Sequence, residues 1–300
     1  MEVIQTRGLC KVYGKKRAVD DLNMTIHEGD IYGFIGKNGA GKSTTLKMMC
    51  SLAAPTAGEV RLFDRPASDA TVRKRTGILI ENPGIYPKMS AEDNMMQKAV
   101  CMGLVDGRKK VKELLALVGL SDAGKKVTKQ FSMGMKQRLG IALALLGSPD
   151  LLILDEPING LDPEGMAEVR ALLQKLNQEK GITILLSSHL LGELGKLATC
   201  YGVIRDGHMV KEITAKEMEE NCRDYLYVKV DKPKETAVCL EQKLHLSHYE
   251  VRPDGVFRIY DGCEGEQISR ALTASDVVIQ ELYRHSRDPE EYFLELMGGN

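Results

Sequence analysis

Nine consecutive residues, Gly36-Lys37-Asn38-Gly39-Ala40-Gly41-Lys42-Ser43-Thr44, constrain the fold of this chain more than any other stretch. They follow the apolar run 31–35 and precede a helical apolar pattern over 43–52. The order is therefore strand, glycine-rich loop, helix, which is the context that G-x-x-x-x-G-K-[ST] demands. Glycines let successive backbone N–H groups converge on one point, and the helix N-terminus adds positive potential there. Such a loop cradles phosphate. Gly36, Asn38, Gly39, Gly41 and Thr44 belong to the cradle, Lys42 reaches the β- and γ-phosphates, and Ser43 ligates Mg²⁺.

A second constraint lies downstream. Residues 151–154, Leu-Leu-Ile-Leu, form a wholly apolar run of the kind found in strands covered on both faces. The run delivers Asp155 and Glu156 to its carboxyl end, where open α/β sheets bind ligands. Asp155 is placed to orient a Mg²⁺ shell and Glu156 to take a proton from an attacking water. His189 follows the apolar strand 182–186 and reaches the same sheet edge. Upstream, Ser132 can cap a helix beginning at Met133, and a helix start of that kind attracts phosphate.

Apolar runs alternate with helical patterns to about residue 215, the rhythm of a parallel sheet with crossover helices. Strands are expected at 31–35, 77–80, 151–154 and 182–186, and helices at 43–52, 91–102, 108–118, 133–146 and 163–178. A hairpin at 202–205 and 208–213 closes this α/β domain, which spans 1–215. After the charged stretch 216–223 the rhythm changes. Strand 225–230, helix 234–244, hairpin 249–252 and 256–260, helix 267–274 and strand 277–283 give βαββαβ, the order of a small ferredoxin-like α+β domain over 224–300. A terminal helix is expected over 288–297.

Composition narrows the function. Forty-one Lys and Arg against 42 Asp and Glu leave a net charge of -1, so no global field favours nucleic acid or an anionic membrane. Trp is absent and Phe numbers only 5, which argues against base-stacking platforms. The start lacks the pattern of a signal peptide, and no apolar stretch approaches the ~18 residues of a spanning helix. A soluble, cytoplasmic protein is the expectation. Seven cysteines without a C-x-x-C pair suit free thiols, with Cys50 and Cys101 expected to be small buried groups. His245 and His248 lack further ligands at metal spacing and are read as surface residues.

Taken in order, these motifs resemble the ATP-binding subunits of ABC transporters over roughly 1–215. Phe131-Ser132-Met133-Gly134-Met135 stands where the family signature L-S-G-G-Q belongs, followed by Lys136-Gln137-Arg138. Gly160-Leu161-Asp162-Pro163 looks like the family's D-loop, and Ser188-His189 its switch histidine. Tyr13 resembles the aromatic residue that stacks on adenine. The resemblance implies a P-loop fold with a helical subdomain at about 85–147, and ATP and Mg²⁺ as cofactors. It also implies an ATP sandwich in which Ser132 and Gly134 cover the γ-phosphate held by a second ATP-binding subunit. In it His189 contacts the γ-phosphate.

Two departures from the family pattern carry information. Glu81 replaces the usual Gln after the strand 77–80, and Met133 and Met135 replace residues of the signature. This combination is similar to the subgroup serving bacitracin and lantibiotic resistance or export. Ionised Glu accepts hydrogen bonds only, yet it ligates Mg²⁺ more strongly than Gln, so Glu81 joins Ser43 and Asp155 as an expected metal-side residue. Transport then requires integral membrane permease subunits. The surface 85–102, with Tyr86, Met89, Met95, Met96 and Met102, is their expected dock, which places the protein peripherally at the inner face of the membrane. The alternatives are an ABC transporter ATPase for another drug or a lipid, or a soluble ABC-type ATPase acting on ribosomes or DNA. A single cassette without heptads disfavours the last.

Overall fold

The computed structural model describes residues 1–286 and 288–298. In chain order the first part runs β1 (Glu2–Tyr13), β2 (Lys16–His27), β3 (Ile31–Ile35), α1 (Lys42–Met49), β4 (Ala57–Leu62) and β5 (Arg65–Pro66). It continues α2 (Ala70–Lys74), β6 (Thr76–Leu79), α3 (Ala91–Cys101), α4 (Gly107–Leu117), α5 (Met133–Leu145) and β7 (Leu151–Asp155). Then come α6 (Pro163–Lys180), β8 (Thr183–Ser188), α7 (Leu191–Leu194), β9 (Cys200–Arg205), β10 (His208–Thr214) and α8 (Ala215–Asn221). The last part is β11 (Tyr225–Val230), α9 (Pro233–Gln242), β12 (Tyr249–Val251), β13 (Val256–Ile259), α10 (Gly265–Thr273), β14 (Ile279–His285) and α11 (Pro289–Leu296).

The central sheet has the order β10-β9-β3-β8-β7-β6, and every pairing from β9 to β6 is parallel. Every residue of β3, β7 and β8 is buried, as expected of strands covered on both faces. Parallel register brings the carboxyl ends together: Ile35 lies opposite Ser188, and Asp155 opposite Ser187. That alignment assembles the site.

A second, antiparallel sheet, β2-β1-β4-β5, carries Val3, Ile4, Leu22 and Met24 into one core with Leu46, Met48 and Met49 of α1. Helix α5 is capped by Ser132, and its expected apolar positions Leu139, Ala142, Leu143 and Leu146 are all buried. The 85–102 stretch divides. Met95 is fully buried, whereas Tyr86, Val100 and Met102 are exposed. Cys101 corrects its expectation: it is exposed, being the last residue of α3 on the outward side, while Cys50 is buried.

The chain separates into two compact units, one of Met1–Ala215 together with the stretch from Phe293, the other of Lys216–Tyr292. In the second, β11, β13, β12 and β14 form an antiparallel sheet of order β12-β13-β11-β14. Its alternating burial places Leu226, Val228 and Val230 against Leu240, Ile268 and Leu272. The stretch from Phe293 departs from the expected 224–300 domain for a physical reason. Phe293 is fully buried, with its ring centroid 5.2 Å from that of Tyr201. Among the described residues, no helix is long and apolar enough to cross a membrane.

Candidate functional site

The loop between β3 and α1 is shaped by two glycines. Gly41 adopts φ +116°, and a Cβ there would meet the Ala18 carbonyl oxygen at 2.6 Å. A Cβ on Gly36 would lie 2.7 Å from the Ile204 carbonyl oxygen. No side chain caps the start of α1 among the described residues, so its first N–H groups face the loop. Lys42 is buried, and its Nζ donates to the Gly36 carbonyl oxygen at 2.6 Å.

Glu156 stands across from this lysine. Its Oε1 lies 3.4 Å from Lys42 Nζ, and its Oε2 lies 2.8 Å from His189 Nδ1. The backbone fixes the carboxylate there: Glu156 has φ +49°, and its N–H donates to Ser187 Oγ at 3.0 Å. Ser187 Oγ in turn donates to Asp155 Oδ1 at 2.6 Å. One serine thus ties the Asp155 carboxylate and the Glu156 backbone to β8. A cleft of about 370 Å³ opens between Glu156 and the loop, lined by Tyr13, Lys16, Asn38, Gly39, Gly41, Lys42, Ser43, Thr44, Glu156 and Asn159 among others. Tyr13 is half exposed, with Lys11 Nζ 5.0 Å from its ring centroid.

Other expected site residues lie apart from this cleft. Ser132 Oγ accepts from the Met135 N–H at 3.2 Å, so its hydroxyl caps α5. Gly134 faces Leu161 and Gly165. Asp162 accepts from the Gly165 N–H at 3.1 Å and caps α6. Glu81 follows β6 with φ +62°, and its exposed carboxylate accepts from Lys47 Nζ. That hydrogen bond raises the Lys47 pKa above the ordinary lysine range.

Ser187, Asn159, Lys16 and Lys47 are contributions not read from the sequence. For Ser187 a signal existed, since two serines end an otherwise apolar strand. Lys47 offered none, being one lysine on a helix surface. Among the described residues, no group of three or more His, Cys, Asp or Glu side chains is arranged to hold a metal. Mg²⁺ in nucleotide sites is held by one or two carboxylates together with substrate phosphates rather than by an all-protein cage. Ser43 lines the cleft, and Asp155 ends β7 with its carboxylate on Ser187.

A glycine loop at the start of a helix, a buried lysine within it, and paired carboxylates at the end of a parallel strand of the same sheet define a P-loop nucleotide site. Comparison with known proteins refines the class. The family model described as ABC transporter matches residues 19–159. The bacitracin transport ATP-binding protein BcrA of Bacillus licheniformis is 38% identical, with 99% of this chain and 98% of that protein covered. BcrA of Enterococcus faecalis is 41% identical over 99% and 97%. The lantibiotic transport ATP-binding protein SrtF of Streptococcus pyogenes is 43% identical over 70% and 90%. Among solved structures, a dimeric ATP-binding cassette, MJ0796, in a post-hydrolysis state with ADP and Pi has a TM-score of 0.65. It is 26% identical, covering 71% of this chain and 98% of that one. The chain belongs to the ABC transporter ATP-binding family and is an ATPase of that family.

Proposed function

We propose that this ATPase powers export of, or resistance to, a membrane-active peptide antibiotic through a separate membrane subunit. The observation that carries the reading is similarity to bacitracin transport ATP-binding proteins along 99% of the chain, C-terminal unit included. Glu81 in place of the usual Gln supports the same subgroup.

In phosphoryl transfer the protein positions water and offsets charge. Lys42 and the N–H groups of Gly36, Asn38, Gly39, Gly41, Ser43 and Thr44 hold the phosphates, and Tyr13 stacks on the base. Ser43, Asp155 and Glu81 would hold Mg²⁺, which when bound neutralises charge on the phosphate oxygens. Glu156 accepts the proton of the attacking water, and His189, already 2.8 Å from that carboxylate, holds it and contacts the γ-phosphate. Ser132 and Gly134 lie outside this cleft, which supports their serving the nucleotide of a second ATP-binding subunit packed head to tail.

The order and pairing of β11 to β14 support a ferredoxin-like module after the cassette. The exposed Tyr86, Val100 and Met102 support the 85–102 surface, in a helical subdomain at about 85–147, as the dock for the membrane subunit at the cytoplasmic face. A near-neutral charge supports no nucleic-acid partner. The test is co-expression with a membrane subunit and measurement of ATPase activity against a panel of cationic peptides, drugs and lipids. Stimulation by bacitracin-like or lantibiotic-like peptides is expected. Stimulation only by non-peptide drugs or lipids would overturn the peptide assignment.

A further inference from the structure

Lys47 follows Ser43 by four residues on α1, so the two side chains share one helix face. Its ammonium pairs with Glu81, whose carboxylate comes from the end of a different strand. Asp155 and Tyr13 lie within electrostatic reach of the same ammonium. One lysine therefore pairs with Glu81, a carboxylate expected on the metal side of the site.

The loop bearing Glu81 is fixed from behind. Gly140 of α5 packs so closely that a Cβ there would lie 2.6 Å from Pro83 Cβ and 3.0 Å from Leu79 Cδ1. Glu81 itself holds a left-handed backbone conformation that non-glycine residues seldom adopt. Its carboxylate is thus presented from a constrained backbone, and its cationic partner is Lys47.

We infer that Lys47 is a positioning residue, a resident counter-cation that holds Glu81 and competes with Mg²⁺ for its carboxylate. The inference rests on the reading of Glu81 as a metal-side residue. The competition follows from charge. An ammonium and a divalent ion cannot both dominate one carboxylate, so Glu81 would leave Lys47 wherever it served as a Mg²⁺ ligand. A half-exposed ion pair is weak, so the expected competition is modest, about two- to fivefold in Mg²⁺ requirement.

The test titrates Mg²⁺ against equilibrium binding of a fluorescent ATP analogue to the full-length protein. Wild type is compared with four variants: Lys47→Met, Lys47→Arg, Glu81→Gln and the Lys47→Met/Glu81→Gln double variant. The inference predicts that Lys47→Met lowers the half-saturating Mg²⁺ by about two- to fivefold. Lys47→Arg, keeping the charge, should retain the wild-type curve, and Lys47→Met should have no effect once Glu81 is Gln. Equal shifts in both backgrounds, or none in the wild-type background, overturn it. If Glu81→Gln shifts the Mg²⁺ curve while Lys47→Met does nothing, only the competition fails. If Glu81→Gln leaves the curve unchanged, Glu81 is not metal-side and both readings fall.

Discussion

The Glu156 carboxylate, 3.4 Å from Lys42 Nζ and 2.8 Å from His189 Nδ1, owes its place to Ser187 and to its own backbone conformation. Ser187 fixes the backbone N–H at 3.0 Å, and the φ of +49° turns the side chain towards the loop. Ser187→Ala should leave Asp155 and the Glu156 N–H without that partner. Because the hydroxyl is buried, a loss of about 1–3 kcal/mol in denaturant unfolding is expected. Elsewhere Glu193 accepts from Lys196 Nζ at 2.8 Å and also from Arg170, and these contacts, the Lys196 bond foremost, hold its carboxyl below the usual glutamate range. A depressed carboxylate pKa contributes stability that is present above the unfolded value and is lost as pH falls through the folded one. Glu193→Gln should therefore cost about 0.5–1 kcal/mol at pH 7. The gap from wild type should close below about pH 4, measured by denaturant midpoints across that range. Lys42, Ser43, Asp155 and Glu156 were legible because spacing within a short motif defines them. Ser187 and Lys47 were not, because their partners lie 32 and 34 residues away and only the folded register reveals the pairing.

At the scale of elements, the parallel sheet was readable because its strands are short, wholly apolar and followed by helices. The antiparallel sheet escaped for the opposite reason. Strands β1 and β2 interleave Lys, Arg, Asp and Glu with core residues, and their pairing carries repeated register shifts that blur the period-2 pattern. The close approach of α5 to the Glu81 loop was likewise invisible until Gly140 met Pro83. Gly140→Ala should push that loop away, because the obstructing atom belongs to a rigid proline ring. Overpacking of this kind costs about 1–3 kcal/mol. It should also alter the Mg²⁺ dependence of nucleotide binding, whereas Gly134→Ala, with nothing nearer than 3.8 Å, should not affect stability. Paired thermal melts and nucleotide titrations distinguish the two.

For the whole molecule, the sequence separated a cassette from a smaller unit but did not show that the chain returns to the cassette at its end. Phe293 is buried with Tyr201, so Phe293→Ala should destabilise the cassette by about 3–5 kcal/mol. A chain ending at residue 223 should show the same loss in calorimetry, and an unchanged cassette transition would remove this stretch from its core. The central claim is that Glu156 activates water at an ATP held by the loop 36–44. The most direct measurement is single-turnover ATP hydrolysis by the Glu156→Gln variant, with nucleotide affinity measured on the same preparation. Hydrolysis slowed by about 10²–10⁴-fold with affinity retained and an ATP-bound dimer accumulating is the predicted result. Wild-type turnover by that variant would contradict it.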